Sequence, residues 1–170
     1  MVRSDEEKIT KNLDDFERWV LNPIRDIVYH TDKRKNHFHA FTLIAVAIDN
    51  LSNMRYSLSM KDKGKSKRFI NFIKDYFPIT YSKIGNNMYH DFRCEMIHNF
   101  KIRRFDIRQD SKYQHLEKVK GKYVLQSKQM FKDLFEAYTR YKKDLIGKDC
   151  KNATVREYLY YANEKGWKHE

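Results

Sequence analysis

The chain has little of what many folds require. It has 2 cysteines, 2 prolines and 5 glycines in 170 residues. Cys94 and Cys150 stand far apart and make no metal-ligand spacing, so the simple reading is a reduced, cytoplasmic protein without a disulfide framework. So few glycines leave no glycine-rich phosphate loop, and a nucleotide-binding α/β fold is not expected. There is no nucleophile elbow and no His-Glu-x-x-His. The N-terminal Met-Val-Arg-Ser-Asp-Glu-Glu-Lys has no apolar run, so no secretory signal is expected. The most apolar window, Phe41 to Ile48, is far shorter than the ~20 residues of a membrane span. His37 and His39, with His30 nearby, lack a further ligand or ordered spacing, so neither a metal nor another cofactor is expected.

What is present is charge and aromatic mass. Lys and Arg number 35 against 23 Asp and Glu, a formal charge of +12, and the pI is near 9.6. That excess favours an anionic partner, RNA or DNA ahead of a membrane surface. The bland alternative is a lysine-rich skin. Hydrophobic residues make up 41% and aromatics 15%, enough to exclude disorder and fill the core of one domain.

The periodicity is helical almost throughout. Residues 4–21 carry Ile9, Leu13, Phe16 and Val20 at helical spacing, and Ser4 with Glu7 fits a capping box. Pro23 breaks or kinks that helix, which resumes at Ile24. The polar run 31–36 reads as a turn. Residues 36–58 are apolar around much of the circumference, which predicts a central, buried helix. Asp49 stands out on it. Either it faces solvent on the one polar edge, or it meets a cation, Arg93 or Arg55, in a bidentate pair. Lys61 to Lys67, with Gly64, read as a basic connector or, second, as a phosphate contact. A helix over 66–77 ends at Pro78, and 79–87 read as a loop whose Asn86 or Asn87 caps the next helix.

That next helix, residues 88–99, is the centre of the argument. Met88, Tyr89, Phe92, Met96 and Ile97 share one side, and Phe100 follows. Arg93 lies beside the apolar stripe, and His98 follows near the helix end. Downstream, residues 101–108 and 118–125 alternate, which fits a small β-hairpin or an irregular flap. Lys101, Arg103, Arg104 and Arg108 are either the polar face of an edge strand or an RNA-binding phosphate rim. A helix over 127–146, capped by Ser127 and ended by Gly147, and a last helix over 153–164 close the chain. The aromatics of that tail, Trp167 included, suit core or interface better than base stacking.

Asp91-Phe92-Arg93-Cys94-Glu95-Met96-Ile97-His98-Asn99 carries Arg-x4-His late in an all-helical chain. It resembles the signature of the HEPN superfamily (higher eukaryotes and prokaryotes nucleotide-binding domains). The layout is similar too: a long apolar helix with an internal acid, a helix ending Tyr-Phe-Pro, the motif helix, then closing helices. The resemblance implies an all-α bundle of about five to six helices in a single domain, residues 1–170, with its core over 5–146 and the flap as an insertion. It also implies a metal-independent endoribonuclease of toxin–antitoxin or defence systems. Arg93 and His98 match the family's two active-site residues. Cys94 departs from the polar residue frequent after the arginine. Asn99, by adjacency, is a candidate hydrogen-bond donor to the His98 loop.

The chemistry is direct: a 2′-hydroxyl attacks the adjacent phosphate. Histidine moves the proton and arginine stabilises the charge on the phosphoryl oxygens, leaving a 2′,3′-cyclic phosphate and a 5′-hydroxyl. Geometry objects, because on a regular helix five residues turn ~500° and the two side chains diverge by ~140°. Either the helix ends before His98, or two motifs meet across a homodimer; the family's behaviour implies the second. An antitoxin or regulatory protein is a further candidate partner. Individually, Arg93 also reads as a buried tie between helices, and His98 as a helix C-terminal cation. Two other functions stay open: a catalytically inactive module of this type binding nucleic acid, nucleotide or a partner protein, and a helical interaction protein without a polyanion role.

Overall fold

A computed structural model describes residues 5–30, 37–99, 101–108, 112–146 and 150–165. Ser4, the polar run 31–36 expected to form a turn, Phe100, Gly147 and Trp167 lie outside the described residues. The architecture is an all-α helical bundle with a small sheet inserted after the motif helix. No helix among the described residues is long and apolar enough to cross a membrane.

Helix α1 (Asp5–Phe16) buries Ile9, Leu13 and Phe16. It runs without interruption through a π turn, Glu17–Leu21, into α2 (Asn22–His30). Pro23 therefore does not break the helix. Proline has no N–H to donate, and the wider π turn just before it, with Asn22 N–H donating to the Glu17 carbonyl, carries the chain past the missing bond.

Helix α3 (His37–Tyr56) is the hub, packing against α2, α4 (Gly64–Tyr76), α8 (Ser127–Leu145), α9 (Asn152–Glu164) and the motif helix. Ala40, Phe41, Ile44, Ala45, Ala47, Ile48 and Leu51 are fully buried, as its composition requires, while Leu43 and Val46 remain exposed. Its end is closed from a distance. The buried Glu157 carboxylate accepts from the Leu58 and Ser59 N–H groups at 2.6 and 2.8 Å. That carboxylate sits on α9 (Asn152–Glu164).

Helix α4 (Gly64–Tyr76) begins two residues earlier than the sequence indicates, so Lys65 and Lys67 belong to its first turn rather than to a connector. Phe77 is extended ahead of Pro78, as a residue before proline must be. The stretch after Pro78 is not a loop. Proline suits the entry to a helix, and Tyr81 and Ile84 are buried, so two short helices form: α5 (Ile79–Ser82) and α6 (Gly85–Asn87). No side chain caps α6. Asn87 instead accepts a hydrogen bond from Arg104.

The post-motif segment forms β1 (Phe105–Ile107), β2 (Lys118–Val119) and β3 (Lys122–Leu125), in spatial order β1-β3-β2. The two alternating runs pair in parallel, Phe105 opposite Tyr123 and Ile107 opposite Leu125. The hairpin lies within the second run, where Lys120 and Gly121 both take positive φ, as a two-residue type I′ turn requires. Phe105 roots the sheet edge-on against Phe92 of the motif helix.

Helix α8 (Ser127–Leu145) completes the bundle. Ser127 is its first residue rather than its cap. Its buried hydroxyl meets Nδ1 of His37, tying α8 to the start of α3. The chain leading to β2 is pinned by His115. The Gln126 N–H donates to its Nδ1 at 2.9 Å, so the proton sits on Nε2, which faces the Tyr81 hydroxyl at 2.7 Å. Tyr81 in turn donates to Asp133 on α8 at 2.7 Å. Burial holds His115 down to a pKa of about 4.

A depressed histidine is neutral in the fold but takes up a proton when unfolded below its ordinary pKa of ~6.5. Its contribution is complete above that pH and declines as pH falls toward 4, while Asp133, raised by burial, works in the opposite sense at the lower end. His115→Asn keeps an acceptor for the Gln126 N–H and removes the titration. Between pH 7 and pH 5 the native chain should lose ~2 kcal/mol more stability than this variant in urea titrations. Equal losses would show that His115 is not proton-linked to folding.

Candidate active site

The motif helix is continuous from Gly85 to Asn99. Residues Met88–Cys94 form a π turn, and α7 (Glu95–Asn99) follows in α geometry. Met88, Phe92 and Met96 are all fully buried. Residues four apart on an α-helix drift by ~40° per step, and a wider turn takes up that drift and keeps the three on one line. The Glu95 N–H reaches the His90 carbonyl, the mark of the wider register.

This stripe places Arg93 against α3. Its NH2 lies 2.8 Å from Asp49 Oδ2, and the two side chains are only 13% and 16% exposed. The pair is monodentate. Among the described residues, Asp49 Oδ1 and Arg93 Nε are buried without hydrogen-bond partners. NH1 makes only a long contact, 3.8 Å, to the Cys94 sulfur. Tyr89 stands under the guanidinium, its ring centre 5.7 Å from Cζ. Burial opposes the Arg93 charge, but the Asp49 hydrogen bond and charge outweigh it and hold the pKa above its ordinary value. Burial, then the neighbouring Cys94, raises Tyr89. Arg55 goes elsewhere, donating to the Tyr76 hydroxyl at 3.0 Å.

His98 does not join this pair. It is exposed and makes no hydrogen bond or ion pair among the described residues. The helix does not end before it, so the first way around the angular objection is removed. Asn99 turns back within α7, donating to Glu95 Oε2 at 3.1 Å, and not toward His98.

The basic rim folds onto the motif helix. Arg103 reaches the other oxygen of Glu95 at 3.3 Å, and Arg104 reaches Asp91 at 3.4 Å and Asn87. Both arginines are about two-thirds exposed, at 68% and 64%. Arg108 pairs with Asp106 at 2.9 Å and lies over the Tyr113 ring. Lys101 is exposed, and its N–H closes the helix end on the Glu95 carbonyl. Asp91 and Glu95 are the residues that sequence reasoning missed. Glu95 meets residues four and eight positions later and Asp91 meets Arg104 from the segment beyond the helix, and spacing alone does not say which carboxylate an exposed arginine faces. Among the described residues, no group of three or more His, Cys, Asp or Glu is placed to hold a metal ion.

Comparison of the chain with known protein families, with curated proteins and with solved structures gives no match in any of the three.

The Asp49–Arg93 pair fastens the motif helix to the hub, and a cycle of Asp49→Leu, Arg93→Met and the double variant measures it. Each single change should cost on the order of 2 kcal/mol, because each strands a partly buried charge. The double variant should cost less than their sum by at least ~1 kcal/mol. Additive losses in denaturant titrations would mean that the pair does not couple the helices.

Proposed function

We propose that this chain is a metal-independent endoribonuclease of the HEPN type that works as a homodimer. The observation that carries the reading is the anchoring of Arg93. Asp49 holds its guanidinium through one nitrogen, leaving NH1 in only a weak sulfur contact and available to a phosphoryl oxygen. Preorganised donors of this kind stabilise charge that develops in a transition state, because they need not be reoriented at the moment of reaction.

His98, exposed one turn and a half further on, supplies the proton chemistry. It takes the 2′-hydroxyl proton as that oxygen forms its bond to phosphorus. The bond to the 5′ oxygen breaks, and the leaving oxygen takes a proton in turn. One chain turns Arg93 inward against α3 and leaves His98 exposed on the same helix. A symmetric pair of chains brings two copies of each group to one composite cleft, with one imidazole to accept the proton and one to donate it. Lys101, Arg103 and Arg104, beside α7, serve as the rim for flanking phosphates; the two arginines exchange a carboxylate for a phosphate when RNA arrives.

The native chain should cleave a mixed RNA pool in excess EDTA and leave 2′,3′-cyclic phosphate ends. His98→Ala should lower that rate by at least ~100-fold. Cleavage of equal rate by a folded His98→Ala would refute the mechanism, and RNA binding without cleavage by the native chain would favour a silent binding module. Lys101→Gln should reduce the slope of log affinity against log salt by ~1; an unchanged slope would remove Lys101 from the rim.

A further inference from the structure

A second group of basic side chains lines a cleft that reaches Asp49. The cleft, of about 380 Å³, opens between α3, the start of α4 and α9. Lys61, Lys65, Arg68 and Lys165 line it, against two carboxylates, Asp49 and Glu164. Asp49 already has its cation in Arg93, and Glu164 lies near Lys61. None of the four cations is within ion-pair distance of a carboxylate among the described residues. The positive charge of the cleft is therefore largely uncompensated by the protein itself.

The fold holds this charge in place. Arg68 donates to Asn53 Oδ1 at 3.1 Å and to the Lys61 carbonyl at 3.4 Å, which fixes its guanidinium against α3. Its Nε is buried without a partner among the described residues. Asn53 is itself held, donating to the Asp49 carbonyl at 2.9 Å. Across the cleft, Lys61 stands over the Tyr160 ring with Nζ 5.6 Å from its centre.

The start of α4 points the same way. Helices ordinarily place acids in their first turn, where the N–H groups and the helix dipole favour negative charge. This one has no acid there and no side-chain cap, and it places Lys65 and Lys67 in that turn instead, with Arg68 directly after them. Gly64 enters at φ +76°, a conformation that suits glycine, with nothing within 4 Å of where a Cβ would stand. Cations stacked on the positive end of a helix are unfavourable until an anion joins them.

We infer that the cleft between α3, α4 and α9 binds a phosphoryl group carried by a nucleotide, with Arg68 as its fixed contact and Lys61, Lys65 and Lys165 closing around it. A nucleoside polyphosphate and an RNA strand share that chemistry, and the volume is in the range of small-ligand sites. The site does not rest on the cleavage reading. Binding here is expected equally in His98→Ala, whether or not the native chain cuts RNA.

The test is titration of the folded chain with pyrophosphate, with ATP and with a short single-stranded RNA, followed by calorimetry and amide chemical shifts. Shifts should centre on residues 61–68 and 160–165. Arg68→Gln should weaken binding at least tenfold and Lys65→Gln about threefold, while Lys132→Gln on α8 leaves it within twofold. Lys65 is exposed, so its variant remains informative if Arg68→Gln does not fold. With shifts centred on 61–68 and 160–165, ATP binding tighter than RNA identifies a free nucleotide and the reverse a strand phosphate; RNA shifts confined to 101–104, with no binding of ATP or pyrophosphate, would overturn the site. Absence of binding by all three probes, or equal weakening by Lys132→Gln and Arg68→Gln, would overturn it.

Discussion

A carboxylate in the middle of the most buried helix constrains everything packed around it. Asp49, largely withdrawn from water on α3, takes its cation from the motif helix. That pairing fixes the rotation of the motif helix about its own axis, with Met88, Phe92 and Met96 turned inward and His98 turned out. It also sets where the two basic surfaces lie. The arginines after α7 fall back onto Asp91 and Glu95, while the α4 cleft opens beside Asp49 itself. One ion pair thus stands between two positive surfaces and separates them.

Tyrosine does much of the remaining polar work. The chain has 12 tyrosines, and several bridge elements that apolar packing alone would leave free to slide. Tyr56 donates to Asp75, Tyr76 to Asp144, Tyr81 to Asp133 and Tyr138 to the Leu13 carbonyl. Burial raises the pKa of each, so they stay neutral donors. A phenol brings a large apolar ring and one directional bond, which suits a bundle whose helices meet mainly through aromatic contacts.

Much of this could be read from the sequence. Helical periodicity located the bundle, its hub and the motif stripe, because burial of one face leaves a trace every three to four residues. Burial and charge leave Asp49 either facing solvent or paired with Arg93 or Arg55; the structure selects Arg93, and the bidentate geometry does not form. The misses have a common cause. Local propensity misplaces Pro23, the 79–87 stretch and Ser127: a π turn carries the chain past Pro23, and tertiary packing overrides the other two. Tyr81 and Ile84 drew their segment into helix, and His37 took the hydroxyl expected to cap α8. The parallel pairing of β1 with β3 was unreadable for a related reason: alternation marks a strand but not its direction. His98 is different, since its exposure agrees with either a bland or a catalytic role.

Among the described residues, two helices contain a π turn, one ahead of Pro23 and one carrying Arg93. A π turn is the physical record of a residue more than the straight α path needs. In most of the bundle, deleting one residue would swing every downstream side chain by ~100° and expose half the core. Between Met88 and Arg93 the outcome differs. Loss of one residue there lets the turn relax to α register while Met88 and Met96 keep their places. The helix that carries the candidate chemistry is thus the one whose chain length can change with the least damage to its anchors.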